Sequence, residues 1–234
     1  MVTGFFSGFD FDVIARSWVY LFQVGMAFTL ELTFFAMLGG VALGTLLALG
    51  RLSSIRAVSL LAAGYVNLMR AVPLVLVIFW FYFLVPYIGA WIIGAPEPVK
   101  VGAFWSALIT FILFQAAYYC EIMRGGIQSV ARGQMLAAQA LGMGYWQTMG
   151  HVILPQAFRN MLPVLLTQTI VLFQDVSLVY VLSVPDFVGA ASKVAQRDGR
   201  LVEMYLFVAV VYFLMCCALS WLARQLQRRV AIIR

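Results

Sequence analysis

The sequence predicts an all-α membrane protein with five transmembrane helices. Of its 234 residues, 64% are hydrophobic and 10% are charged, where a soluble domain carries about 25% charged residues. Apolar runs recur at the roughly 20-residue length that crosses a hydrocarbon core. The longest aqueous segment, residues 121–160, has about 40 residues, too few to build a core of its own, so residues 1–234 are expected to form a single transmembrane domain.

The first run, residues 25–50, has Glu31 as its one charge. Residues 71–96 and 101–120 carry none, residues 161–185 are interrupted only by Asp175, and residues 204–223 are again uncharged. Five crossings put the two ends of the chain on opposite sides. Arg51, Arg56, Arg124, Arg132, Arg159, Arg224, Arg228, Arg229 and Arg234 then share one side. Arg16, Lys100, Lys193, Arg197 and Arg200 share the other, diluted by Asp10, Asp12, Glu97, Asp186 and Asp198. The positive-inside rule therefore predicts the N-terminus outside and the C-terminus inside. The net charge of +6 comes largely from this bias and calls for no nucleic acid.

The first sixteen residues lack the basic region and apolar core of a cleavable signal, so the first span is expected to direct insertion. Cys120, Cys216 and Cys217 fall in or at the edge of spans without metal-ligand spacing. His151, the one histidine, has no such companion, and no metal or catalytic site is expected. No Walker motif, HExxH or GxSxG occurs in the chain. Any energy source must lie on a partner, and a lone five-span chain makes a poor pore, so a second subunit is expected.

Within the segment 121–160, the stretch GQMLAAQAL, residues 133–141, consists of strong helix formers. Gly142 suits a helix end, where positive φ costs glycine little. A second helix over residues 145–154 should stop at Pro155, which supplies no amide hydrogen. Met135, Leu141, Met143, Tyr145 and Trp146 offer apolar area for another protein. The residues by themselves leave two readings open, a docking surface and an amphipathic loop lying on the inner leaflet.

The same segment resembles the EAA loop of ATP-binding-cassette (ABC) importer permeases: Glu-Ala-Ala, three residues, Gly, nine residues, Ile, one residue, Leu-Pro. Ala137, Ala138, Gly142, Leu154 and Pro155 match at those spacings, and Val152 stands at the Ile position. Leu136 departs from the family's Glu, which puts any ion pair made by that Glu in doubt. EIMRGGIQSVARGQ (residues 121–134), residues 154–182 and YVNLMRAVPLVLVIFWFY (residues 65–82) are similar to the polar-amino-acid branch, with a likeness to glutamate/aspartate importer permeases.

The resemblance implies the type I ABC importer permease fold in a bacterial inner membrane. It implies two ATPase subunits that carry ATP and Mg, a sister permease or second copy, a periplasmic substrate-binding protein and a polar amino acid as cargo. The chain itself would bind no cofactor and hydrolyse nothing. The loop would act as a lever, transmitting ATPase closure to the spans. Glutamine, arginine or histidine as substrate, and more distantly a homo-oligomeric channel, are the alternatives; an intramembrane enzyme lacks the paired groups it needs.

Charges at membrane depth are expensive and usually face a cavity or a bundle interior. Asp175, with Gln174 and Ser177, forms a polar island about 13 Å short of the outer exit at 1.5 Å per residue. It would meet the ammonium group of an amino acid or serve as a structural contact between helices. Arg70, three residues before Pro73, would clamp a substrate carboxylate bidentately, snorkel to the inner interface, or pair with Asp175. Glu121 and Arg124, at i and i+3, are expected to form an ion pair. Glu31 and Glu203 are expected to reach an interface. Trp18, Trp91, Trp105 and Trp221 read as interfacial anchors. The stretch 185–200 reads as a short helix facing a binding protein or as a solvated connector.

Overall fold

Hydrogen-bonding every backbone group inside lipid requires helices or a closed barrel. A computed structural model describes residues 9–230 and, among these, every regular element is helical. Helix α1 runs over Asp12–Arg51, α2 over Arg56–Ala71, α3 over Leu74–Ile93 and α4 over Ala103–Gln128. After these come α5, Arg132–Ala140, α6, Tyr145–Leu182, α7, Phe187–Asp198, and α8, Leu201–Val230. Five of them, α1, α3, α4, α6 and α8, are long and apolar enough to cross a membrane, in register with the five predicted runs. Arg234 and the side chain of Arg229, both in the basic tally, lie outside the described residues.

Three differences from the sequence reading have physical causes. Residues 56–71, which precede the second apolar run almost entirely, form α2, a 16-residue helix with Arg at position 56 and Arg70 in its last turn. Proline disfavours helical geometry in the residue before it, so α2 ends where Val72 turns extended ahead of Pro73. The second crossing accordingly begins at Leu74, not at residue 71. Pro155 does not stop a helix, because Met149–Ile153 forms a wide π turn in which the Leu154 amide bonds the Met149 carbonyl. That i to i−5 pairing relieves the clash a proline makes with the carbonyl four residues back. Finally, α1 starts at Asp12, ahead of the apolar run that begins at residue 25, so Glu31, which is exposed, lies about 28 Å along the helix at 1.5 Å per residue. Glu203 is in the first turn of α8, buried and paired with Arg200 at 3.0 Å.

Contacts divide the chain into two compact units. The first comprises Met1–Phe35, Ile78–Ile109 and Val171–Leu219. Its core gathers Leu21, Met26, Phe173, Phe187, Val194 and Met204. Helix α7 is no solvated connector: Phe187, Ala190, Ala191, Val194 and Ala195 are buried. Asp186 caps α7, accepting from the amides of Val188 and Gly189 at 3.1 and 3.0 Å, while the Phe187 amide donates to Thr29 Oγ1 at 3.0 Å.

Asp186 is 0% exposed, and burial pushes its carboxyl up to about 7 despite the two amides and the nearby Lys193, which pull it down. A carboxyl raised in the fold is neutral there while ionised in the unfolded chain. Its contribution to stability therefore falls as pH rises from about 4 to about 7. Asp186→Asn keeps a capping oxygen and should flatten that part of the pH profile of thermal unfolding in detergent; an unchanged profile would reject the buried-acid account.

The second unit comprises Ala36–Val77, Thr110–Ile170 and Ser220–Arg234. Here α1 and α4 approach at Gly44, where a Cβ would stand 2.8 Å from Tyr119 Cβ and 3.0 Å from the Ala116 carbonyl oxygen. Helices α4 and α6 do the same at Gly126, against Met161 Cβ at 2.8 Å. Small residues permit this contact where lipid supplies no hydrophobic drive. Polar cross-links accompany them: Tyr119 Oη and Thr169 Oγ1 lie 3.1 Å apart, Gln168 donates to Gln115 Oε1 at 2.8 Å, and Tyr65 Oη donates to the Leu113 carbonyl at 2.8 Å.

Candidate coupling loop and substrate pathway

The loop between α4 and α6 lies within the second unit. Helix α5 ends in a Schellman arrangement: the Met143 amide donates to the Ala138 carbonyl at 3.1 Å and the Gly142 amide to Gln139 at 2.9 Å. This requires a left-handed residue at the turn, and Gly142 has φ of 81°. The Gln147 side chain then accepts the Gly144 amide at 3.0 Å, starting α6. The predicted helix, glycine turn and second helix are all present.

Within it Ala138 is buried, while Ala137, Gly142, Leu154 and Pro155 are exposed and Val152 is half-buried. Leu141 is 84% and Trp146 83% exposed, with Leu136 and Tyr145 also open. The Tyr145 and Trp146 rings meet edge to face. Leu141, Gly142, Met143, Gln147 and His151 line an open cavity of about 330 Å³. These exposed apolar side chains are held on a helix with a closed C-terminal turn, and Leu136 adds no carboxylate to them.

Of the residues singled out at membrane depth, Gln174, Asp175 and Ser177 belong to the first unit and Arg70 to the second. Asp175 ends the α-helical part of α6, and Val176–Leu182 continues as a 3₁₀ helix. Gln174 is exposed and donates to Cys216 Sγ at 3.3 Å, while Asp175 and Ser177 are half-buried. Arg70 is paired with Glu121 at 3.9 Å and lies over the Tyr118 ring, 5.6 Å from its centroid. The expected Glu121–Arg124 pair is present at 2.7 Å.

Sequence reading missed a pattern on α6. Asn160, Val164, Thr167, Val171 and Gln174 are exposed in succession, a spacing of four, three, four and three that marks one helix face. Polar and apolar residues alternate along it. By contrast, Val202, Leu206, Val210, Phe213, Leu214 and Cys217 are exposed on α8, a face suited to lipid. A polar face at membrane depth needs a protein or aqueous neighbour; heptad spacing was the signal that could have found it.

The family model for the binding-protein-dependent transport system inner membrane component matches residues 40–232. Among curated proteins, the glutamate/aspartate import permease protein GltK of Escherichia coli O6:H1 is 50% identical over 223 residues, covering 95% of this chain and 99% of that one. The glutamine transport system permease protein GlnP of Escherichia coli K12 is 30% identical over 96% of this chain and 99% of its own. In three dimensions, the crystal structure of an amino acid ABC transporter with histidines has a TM-score of 0.85 at 32% identity, covering 94% of this chain and 98% of that one. An inward-facing form of the MetNI methionine ABC transporter, 18% identical with a TM-score of 0.68, shares the fold. The five crossings and this fold are those of a multi-pass inner-membrane permease, and the chain belongs to the family of binding-protein-dependent transport system inner membrane components.

Proposed function

We propose that this chain is the permease subunit of an ATP-driven importer of glutamate and aspartate. The observation that carries the substrate is the 50% identity to a glutamate/aspartate import permease across 95% of the chain. Identity to the glutamine permease is 30%, which makes glutamine the second reading.

In this reading two ATPase subunits bind ATP with Mg and dock on the loop built from Ala137, Ala138, Gly142, Val152, Leu154 and Pro155. A periplasmic binding protein delivers the amino acid, and the N-terminus lies outside with the C-terminus inside. The exposed Leu141 and Trp146 support the docking surface. The polar face of α6 supports a second permease chain across a shared pathway, with Gln174, Asp175 and Ser177 toward one end of it. Arg70 offers a guanidinium for a substrate carboxylate. For the lever to work, the ATP-bound ATPase pair must bind one permease conformation better than the other.

The test is uptake of labelled glutamate in cells lacking and then regaining this chain, with unlabelled aspartate, glutamine, arginine and histidine as competitors. Competition by aspartate alone is expected; competition by glutamine instead would move the assignment to the second reading. Thr167→Leu together with Gln174→Leu should lower uptake several-fold while leaving membrane insertion intact, since both replace polar groups by lipid-compatible ones. Full uptake in that double variant would return the α6 face to a lipid contact.

A further inference from the structure

The second unit holds a charge cluster that the coupling loop does not use. Glu121 stands among three guanidiniums brought from different helices: Arg51 at the end of α1, Arg70 in the last turn of α2, and Arg124 one turn along α4. Arg124 holds one carboxylate oxygen, Oε2, through Nη2 at 2.7 Å and Nε at 3.2 Å. The other, Oε1, takes Arg51 in direct contact and Arg70 at 3.9 Å. Among the described residues, Glu121 is the one carboxylate with which any of these three arginines forms an ion pair. Three cations around one anion leave two positive charges to be compensated, and the Glu121 and Arg51 side chains are each only 17% exposed.

The three arginines are not equally engaged. Arg124 is committed twice over, with a further bond to Gln128 Oε1 at 2.8 Å. Arg70 is held at the distance limit of an ion pair and is 44% exposed. The Tyr118 ring keeps its guanidinium in place without using its N–H donors. An arginine presented this way has its bidentate fork open to an incoming carboxylate. The group already bound in the cluster is itself a glutamate side-chain carboxylate, the same chemistry as the cargo of the proposed function.

We propose that the Arg51, Arg70 and Arg124 cluster is a carboxylate-transfer site in which Glu121 stands in for the acidic substrate. The side-chain carboxylate of the arriving amino acid takes Arg70, and Glu121 stays on Arg51 and Arg124. On release, Glu121 is the internal competitor that lowers the site's hold on the product. This rests on the acidic-substrate reading and adds Glu121 to it as a positioning residue.

The test uses the intact importer in proteoliposomes, with binding protein and labelled glutamate outside and unlabelled glutamate or glutamine on the ATPase side. Arg70→Gln should cut uptake tenfold or more at saturating binding protein, and Arg70→Lys should restore part of it. In Glu121→Gln, product-side glutamate should inhibit at several-fold lower concentration than in the native importer, because the competitor is gone; product-side glutamine should inhibit neither. Native uptake by Arg70→Gln, or unchanged product inhibition in an assembled Glu121→Gln, overturns the proposal. So does equal inhibition by glutamine. Uptake that instead follows the phosphatidylglycerol content of the vesicles would assign the cluster to lipid phosphate and also overturns it. If Glu121→Gln fails to assemble, the two Arg70 variants decide, since that half-exposed side chain is the least packed of the four. A native importer that carries glutamine but not glutamate overturns the substrate reading together with this one, whereas normal glutamate uptake by Arg70→Gln overturns this one alone.

Discussion

Gly142→Asp is expected to leave the chain inserted in the membrane but to release or uncouple its ATPase, with uptake falling on the order of tenfold or more. Two costs combine. At φ of 81° a side chain costs about 1 kcal/mol, less for Asp than for most residues, so the turn survives. The larger cost is electrostatic, because the new carboxylate would stand beside Leu141, 84% exposed, on the surface proposed to be buried against the ATPase. An unpaired charge desolvated at an interface costs about 2–5 kcal/mol. Gly142→Ala separates the two, since it carries only the conformational cost and should retain most uptake. Co-purification of the ATPase with the Asp variant at native yield, together with native transport, would remove the loop from its proposed role.

Gly44→Val is expected to have the largest effect on stability. The nearest neighbours of the missing Cβ include two backbone atoms, the Ala116 carbonyl oxygen at 3.0 Å and the Cys120 amide nitrogen at 3.1 Å. Neither yields as a flexible side chain would, so α1 and α4 must separate. Overpacking of this kind costs about 1–3 kcal/mol or more. The displacement would also reach Tyr119 and its contact with Thr169, and Arg51 on Glu121. Thermal unfolding of the detergent-solubilised variant several degrees lower, with weaker assembly, is the expected result; an unchanged transition would mean that the helices have slack at this crossing.

The five crossings were legible because length and hydropathy are local properties, and so was the α5 turn, because glycine after a run of helix formers has one cheap use. Helix α2 was not. Its charged ends and moderate hydropathy resemble a connector, and its helicity rests on tertiary burial of Ala62 and Val66. Pro155 was misread because the rule that proline ends a helix assumes α-helical pairing throughout, and a π turn suspends that assumption. Glu121 could be paired with Arg124 from spacing alone. Its contacts to Arg51 and Arg70 arise only when three helix ends converge, which no local pattern announces. Thr167 was passed over because single polar residues in a span carry little signal until their exposure places them on one face.

The wide turn at Met149–Ile153 sets an angular phase. A residue added to one turn of a helix rotates everything beyond it by about 100° relative to an unbroken α-helix. The direction in which α5 and the Leu141 surface project from the span therefore depends on a residue count, independently of what those residues are. Deleting Gly150 would remove no docking side chain, yet it would swing the loop by more than a quarter of a circle about the α6 axis.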